Sequence, residues 1–88
     1  MNGRALVAWN LRRLRSARDV SQERLAGEAE VDRTYVSMLE REEASATVDM
    51  LDRLAQALKV ELTEFFIRPP EGAAPPEPLR AGRRPKSR

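Results

Sequence analysis

All six prolines of this 88-residue chain fall late, at positions 69, 70, 75, 76, 78 and 85. Between them lie Gly72, Gly82 and charged residues, and Leu79 is the one large aliphatic side chain beyond Ile67. Such a stretch cannot bury enough apolar surface to offset its ordering entropy. The chain therefore divides into a folded unit, residues 1–67, and a flexible, partly polyproline-like, disordered C-terminal tail, residues 68–88. Neither a repeat nor a second domain is visible, and the length allows one modest core.

Upstream of the prolines the apolar spacing is helical almost throughout, and strict alternation never runs long enough for a strand. The expected class is all-α, a compact five-helix bundle. Val7, Leu11 and Leu14 recur at i, i+4, i+7 and mark a first helix from about Arg4 to Ala17, broken at Asp19-Val20. Ser21 can accept a hydrogen bond from a free backbone N–H and start a second helix, with Glu23 favourably placed in its first turn and Leu25, Ala26 and Ala29 inside. After the short link Glu30-Val31, Asp32 caps a third helix that buries Val36 and Leu39 and ends near Arg41 or Glu42. Two short helices joined so tightly must cross steeply. Residues 42–46 read as a loop. Thr47 caps a fourth helix carrying Val48, Leu51, Leu54, Ala55 and Leu58, and Lys59 closes it. A fifth, about Glu61 to Ile67, is stopped by Pro69 and Pro70.

Cysteine and histidine are both absent, which removes disulfides, thiol nucleophiles, imidazole bases and zinc sites built from either residue. No metal or other cofactor is expected, and the Glu42-Glu43 pair reads as a solvated acidic surface, so an enzyme has no supporting residues. No apolar run approaches the roughly 20 residues of a membrane span, and no secretory signal is visible, which points to a cytoplasmic protein that meets no membrane. The net charge of +2 hides a division: residues 1–67 sum to −2 and residues 68–88 to +4. An anion-binding surface must therefore arise from local placement, as among Arg4, Arg12, Arg13, Arg15 and Arg18.

Four segments appear in order: Ser21-Gln22-Glu23-Arg24-Leu25-Ala26, Val31-Asp32-Arg33-Thr34-Tyr35-Val36-Ser37, Leu39-Glu40-Arg41 and Leu51-Asp52-Arg53-Leu54-Ala55-Gln56-Ala57-Leu58. Together they resemble the phage-repressor and Cro type helix-turn-helix of the Xre family over roughly residues 4–66. The Asp-Arg-Thr-Tyr opening of the third helix looks most like the controller proteins of restriction-modification systems. Glu42 stands where a helix-ending glycine is usual, and Ala46 where a proline is usual. The resemblance implies a DNA-binding domain whose helix-turn-helix is the second and third helices, with the third in the major groove and the second across the backbone.

On that reading Arg33, Thr34 and Met38 are the expected base readers. Arg33 can donate two hydrogen bonds to guanine N7 and O6, and Thr34 and Met38 can meet a thymine methyl. Gln22 at the second helix's first turn, Tyr35, Ser37, Arg41, Thr47 and Arg18 are the expected phosphate contacts. Each also has a plainer role: solvated surface for Arg33, Thr34, Gln22 and Ser37, packing for Met38 and Tyr35, capping for Thr47, and pairing with Glu40 or Glu43 for Arg41. Successive helical residues lie about 100° apart, so the arginines of the first helix cannot all face DNA. By its match to a family position beside the core, Arg15 is expected to be structural. Trp9 lies off the buried stripe and covers the outer core or joins an interface.

One short helix reads too few bases for selectivity in a genome, so a homodimer on a palindromic operator is expected. Its candidate interface is Leu62, Phe65 and Phe66, because two adjacent phenylalanines on a short helix cannot both enter one small core; the alternative for the phenylalanines is a wholly intramolecular role. The expected function is a sequence-specific transcriptional regulator of double-stranded DNA. The alternative is an antitoxin that also binds its own promoter; the flexible, basic tail could contact DNA nonspecifically, fold onto a protein partner, or serve only as an unstructured solubilising end. Deleting residues 68–88 should leave helix content and cooperative melting largely intact; collapse on truncation would place the boundary elsewhere.

Overall fold

The computed structural model describes residues 1–73, which form four α-helices and a closing 3₁₀ helix, with no strand among the described residues. The part of the expected tail beyond Ala73 lies outside the described residues. The helices are α1 (Gly3–Arg18), α2 (Gln22–Ala29), α3 (Arg33–Glu40) and α4 (Val48–Leu58), followed by the 3₁₀ helix Leu62–Phe66. The expected fifth helix is thus a single tight turn, consistent with its five residues being too few for a self-sustaining α-helix.

Each α-helix begins on a side chain that satisfies one of its unpaired N–H groups. Asn2 accepts from Ala5 N, Ser21 from Arg24 N, Asp32 from Thr34 N and Thr47 from Met50 N, at 2.8–3.0 Å. Such caps contribute about 1 kcal/mol each. The helix ends are equally regular. Asp19, Glu30, Glu42 and Lys59 all take the left-handed backbone conformation, with φ between 57° and 62°. The N–H of the next residue then reaches back five positions along the chain, from Val20 to Arg15, Val31 to Ala26, Glu43 to Met38 and Val60 to Ala55. This 6→1 closure satisfies terminal carbonyls and turns the chain sharply. In three of the four ends the residue making it is a valine that packs on the core. The position where Glu42 replaces the usual glycine keeps the glycine-favouring conformation.

The core gathers Leu11 and Leu14 from α1, Leu25, Ala26 and Ala29 from α2, Val36 and Leu39 from α3, and Leu51, Leu54, Ala55 and Leu58 from α4. Phe65 plugs it from the 3₁₀ helix and is fully buried. Buried Asn10 fastens that plug, its Nδ2 donating to the carbonyls of Phe65 and Ile67 at 2.9 Å and of Leu6 at 3.0 Å. Arg13 adds bonds to the Glu64 carbonyl and carboxylate while lying 5.7 Å from the Trp9 ring centroid.

Arg15 is the charged group at the centre, 2% exposed, and its structural role is as the family resemblance implied. Its Nε and Nη2 donate to the two carboxylate oxygens of buried Glu40 at 2.5 and 2.8 Å, and Nη1 donates to the Val20 carbonyl at 2.8 Å. Breaking a buried pair by removing one partner costs about 3–5 kcal/mol because the other charge is left uncompensated. Glu40→Ala should therefore lower the unfolding free energy by about that amount in a denaturant titration, and Arg15→Met combined with Glu40→Leu should recover most of it. A loss under about 1 kcal/mol for Glu40→Ala would show that the pair does not hold α1 against α3.

Candidate nucleic-acid interface

The left-handed Glu30 and the two residues after it place the start of α3 immediately beyond the end of α2. Val36 and Leu39 point into the core, so helical geometry puts Thr34, Ser37, Met38 and Arg41 on the opposite side of α3. Arg33 and Thr34, in the first turn, are exposed, and Ser37 and Met38 are partly covered. Among the described residues Arg33 has no hydrogen-bonding or ionic partner. The structure thus leaves a free guanidinium and a hydroxyl with a methyl exposed in the first turn of α3, with the partly covered Met38 one turn further on.

Around that strip the donors are already distributed. Gln22, partly covered in the first turn of α2, donates through Nε2 to Glu40 Oε1 at 3.0 Å, which ties it to the Arg15 pair. A second amide N–H and the amide oxygen stay available. Thr47 accepts from Met50 N, and its own O–H is left to donate, so capping and phosphate contact are compatible at this position. Arg41 donates to Ser37 Oγ and, at 3.0 Å, to Glu43. That hydrogen bond and the adjacent opposite charge raise the Arg41 pKa and lower that of Glu43. Glu40 is thus not the partner of Arg41; Arg15 holds it.

Tyr35, Arg18 and Phe65 are each engaged within the fold. Tyr35 is partly buried, which raises its phenol pKa, and its O–H donates to the Ser45 carbonyl at 2.8 Å. A phenol has one proton, so Tyr35 braces the loop before α4 and cannot donate to a phosphate while that bond stands. Arg18 donates to the Leu58 carbonyl at 2.9 Å, at the end of α4 opposite Thr47. Eleven residues of helix separate those ends by about 16 Å, so Arg18 lies at the opposite end of α4 from Thr47, with one of its donors given to the fold. Phe65 fills the core and offers nothing to a second copy, whereas Phe66 is 48% exposed and Leu62 is half-buried. The two phenylalanines do diverge, one inward and one outward. The residue missed at the sequence level is Glu40, whose partner lies 25 positions away with no local signal.

A helix-turn-helix family model, HTH_3, matches residues 11–65. The chain belongs to this family of DNA-binding transcription regulators, which are not enzymes. Within it the chain is 37% identical over 68 residues to a hypothetical transcription factor of Neisseria meningitidis, covering 77% of this chain and 64% of that protein, just under two-thirds of its length. Its identity to control protein C.SmaI of Serratia marcescens is 34% over 68 residues, 77% of this chain and 81% of the other. Among solved structures, that of the Neisseria transcription factor superposes with a TM-score of 0.74 at 35% identity, over 77% of this chain and 78% of the other. The restriction-modification controller C.AhdI of Aeromonas hydrophila gives 0.69 at 36%, over 72% and 96%. The likeness to controller proteins read from Asp32-Arg33-Thr34-Tyr35 accords with these helix-turn-helix relatives. Among the described residues no helix is long and apolar enough to cross a membrane.

On this geometry Arg33→Ala should relax preference at one base pair per half-site, a discrimination worth about 1–3 kcal/mol, while Gln22→Ala should weaken all duplexes about equally. Binding measured across single-base operator variants separates the two; equal losses on every variant for Arg33→Ala would remove it from base readout.

Proposed function

We propose that this protein is a sequence-specific transcriptional regulator that binds a palindromic operator as a homodimer with α3 in the major groove. The observation that carries this reading is the exposed, unpaired Arg33 at the start of a helix whose opposite side is anchored by the Arg15–Glu40 pair. Arg33, Thr34 and Met38 read bases. Gln22, Ser37, Arg41 and Thr47 contact phosphates through the donors left to them, Arg41 by exchanging Glu43 for a phosphate oxygen. The likeness to two control proteins favours a controller-type regulator over the antitoxin alternative.

The dimer reading is supported by apolar surface near the 3₁₀ helix. Phe66, Val48 and Ile67 are 48%, 65% and 44% exposed. Phe66 and Val48 line one cavity of about 390 Å³ together with Val7, Leu39, Ala46 and Leu51. A second copy seated here through Phe66 and Leu62 would cover that surface and set the separation of the two α3 helices. The expected setting is the cytoplasm, where the operator is.

Selection of bound duplexes from a random pool tests the proposal. It should return two inverted half-sites separated by about one helical turn of DNA or a multiple of it. A single asymmetric site would exclude the symmetric dimer, and no enriched sequence at low salt would exclude the regulator.

A further inference from the structure

An acidic side chain is out of place at the end of a helix proposed to lie in DNA, yet Glu40 is the last residue of α3. Its charge is not presented to the duplex. The side chain is 5% exposed, and both carboxylate oxygens are met by the Arg15 guanidinium, at 2.5 Å from Nε and 2.8 Å from Nη2. What this pair offers a neighbour is a hydrogen-bond acceptor whose charge is already balanced. Gln22 uses it, its Nε2 donating to Glu40 Oε1 at 3.0 Å across 18 positions of sequence.

That bond decides which way the Gln22 amide faces. An amide has a donor side and an acceptor side that exchange by a half-turn of the terminal torsion, and on a bare surface both orientations are populated. A carboxylate only accepts, so the half-turned amide would set its oxygen against Glu40 Oε1 with no proton between them. The nitrogen is therefore held inward on Glu40, and its second N–H is left free in the first turn of α2. We infer that Glu40 is a positioning residue for DNA contact: through the Gln22 amide it holds one donor ready for a phosphate oxygen before the duplex arrives. The inference rests on the DNA-binding reading of α2 and α3 and adds to it the acceptor that orders the contact.

Two effects follow from this placement. Glutamine is among the side chains that lose most rotamer freedom when fixed, and a contact that must order such a side chain on binding loses about three- to tenfold in affinity. A glutamine ordered by the fold escapes that loss. The second effect concerns register. The carboxylate that closes α3 also locates the donor on α2, so a phosphate gripped by Gln22 sits at a fixed offset from the base pairs under Arg33. A sequence-independent contact thereby aligns the sequence-reading one. The Arg15 pair supplies this without cost in repulsion, because a lone carboxylate at the same place would oppose the phosphate it helps to bind.

The test is a double-mutant cycle on the full-length chain. Arg15→Met combined with Glu40→Leu removes the acceptor without stranding a buried charge, and Glu40→Gln keeps the shape but lets either side of its amide face Gln22. Each is made with and without Gln22→Ala, and circular dichroism confirms that the proteins compared are folded. Affinity is measured for a selected operator duplex and for a mixed-sequence duplex of the same length, and nitrogen relaxation follows the Gln22 side-chain amide in the free protein. Removing the acceptor should weaken both duplexes about three- to tenfold when Gln22 is present. With Gln22→Ala already in place the same change should cost less than about twofold. The Gln22 amide should be ordered in the parent and mobile once the acceptor is gone, before any DNA is added. Equal effects in the two backgrounds overturn the inference, since Glu40 then acts through the placement of α3 alone. A Gln22 amide that is mobile in the parent also overturns it, and this measurement decides even if neither acceptor variant folds. A parent that binds neither duplex would sink the regulator reading itself.

Discussion

The arrangement of the helix-turn-helix depends on one buried guanidinium. Taking an arginine and a glutamate out of water costs several kcal/mol per ion, so Arg15 and Glu40 can sit in the core only with nearly every polar group met. Both carboxylate oxygens receive an Arg15 N–H, a third Arg15 donor takes the Val20 carbonyl, and Gln22 supplies a further bond to Glu40. These contacts join the end of α1, the first turn of α2 and the last residue of α3. A hydrophobic contact in the same place would tolerate sliding and rotation, whereas a forked, bidentate pair fixes direction as well as distance. The proposed reading face inherits its orientation from that restriction.

The short links work with the pair. Each α-helix is followed within two residues by one held with positive φ, and in three cases the valine after it closes the turn and returns to the core. A non-glycine residue in this conformation costs on the order of 1 kcal/mol, which the capping bonds and the buried valine offset. The consequence for function is that α2 and α3 meet at an angle set by backbone hydrogen bonds rather than by a loose loop. Tyr35 extends the same economy to the next link, because its hydroxyl holds the Ser45 carbonyl and steadies the approach to Thr47.

Counting donors sharpens the division between scaffold and surface. Residues of similar type in sequence acquire different duties because some protons are already given away: Arg15 and Arg18 to the fold, Arg41 partly to Glu43, and Arg33 to nothing among the described residues. That distribution leaves the start of α3 with an exposed guanidinium to offer a new acceptor. It also explains why net charge is a poor guide here, since a folded unit with more acidic than basic residues still presents an uncommitted cation, Arg33, at the exposed start of α3.

Most of the secondary structure was legible because its signals are local. Apolar residues at helical spacing marked the stripes, Ser21, Asp32 and Thr47 marked the starts, and prolines marked the stop, each acting through backbone groups a few positions away. The left-handed ends were half-legible: Asp19, Glu30 and Lys59 each precede a valine, a pattern that becomes meaningful once the closing bond is seen. What only the tertiary structure decided was which like residues would be used up by distant partners. Glu40 meets Arg15, Arg18 meets Leu58, and Phe65 rather than Phe66 turns inward against α1 and α4, none of which has a periodicity to betray it. Sequence determines local conformation through short-range bonding; the commitment of a particular charge or ring requires knowing what the packed chain has placed beside it.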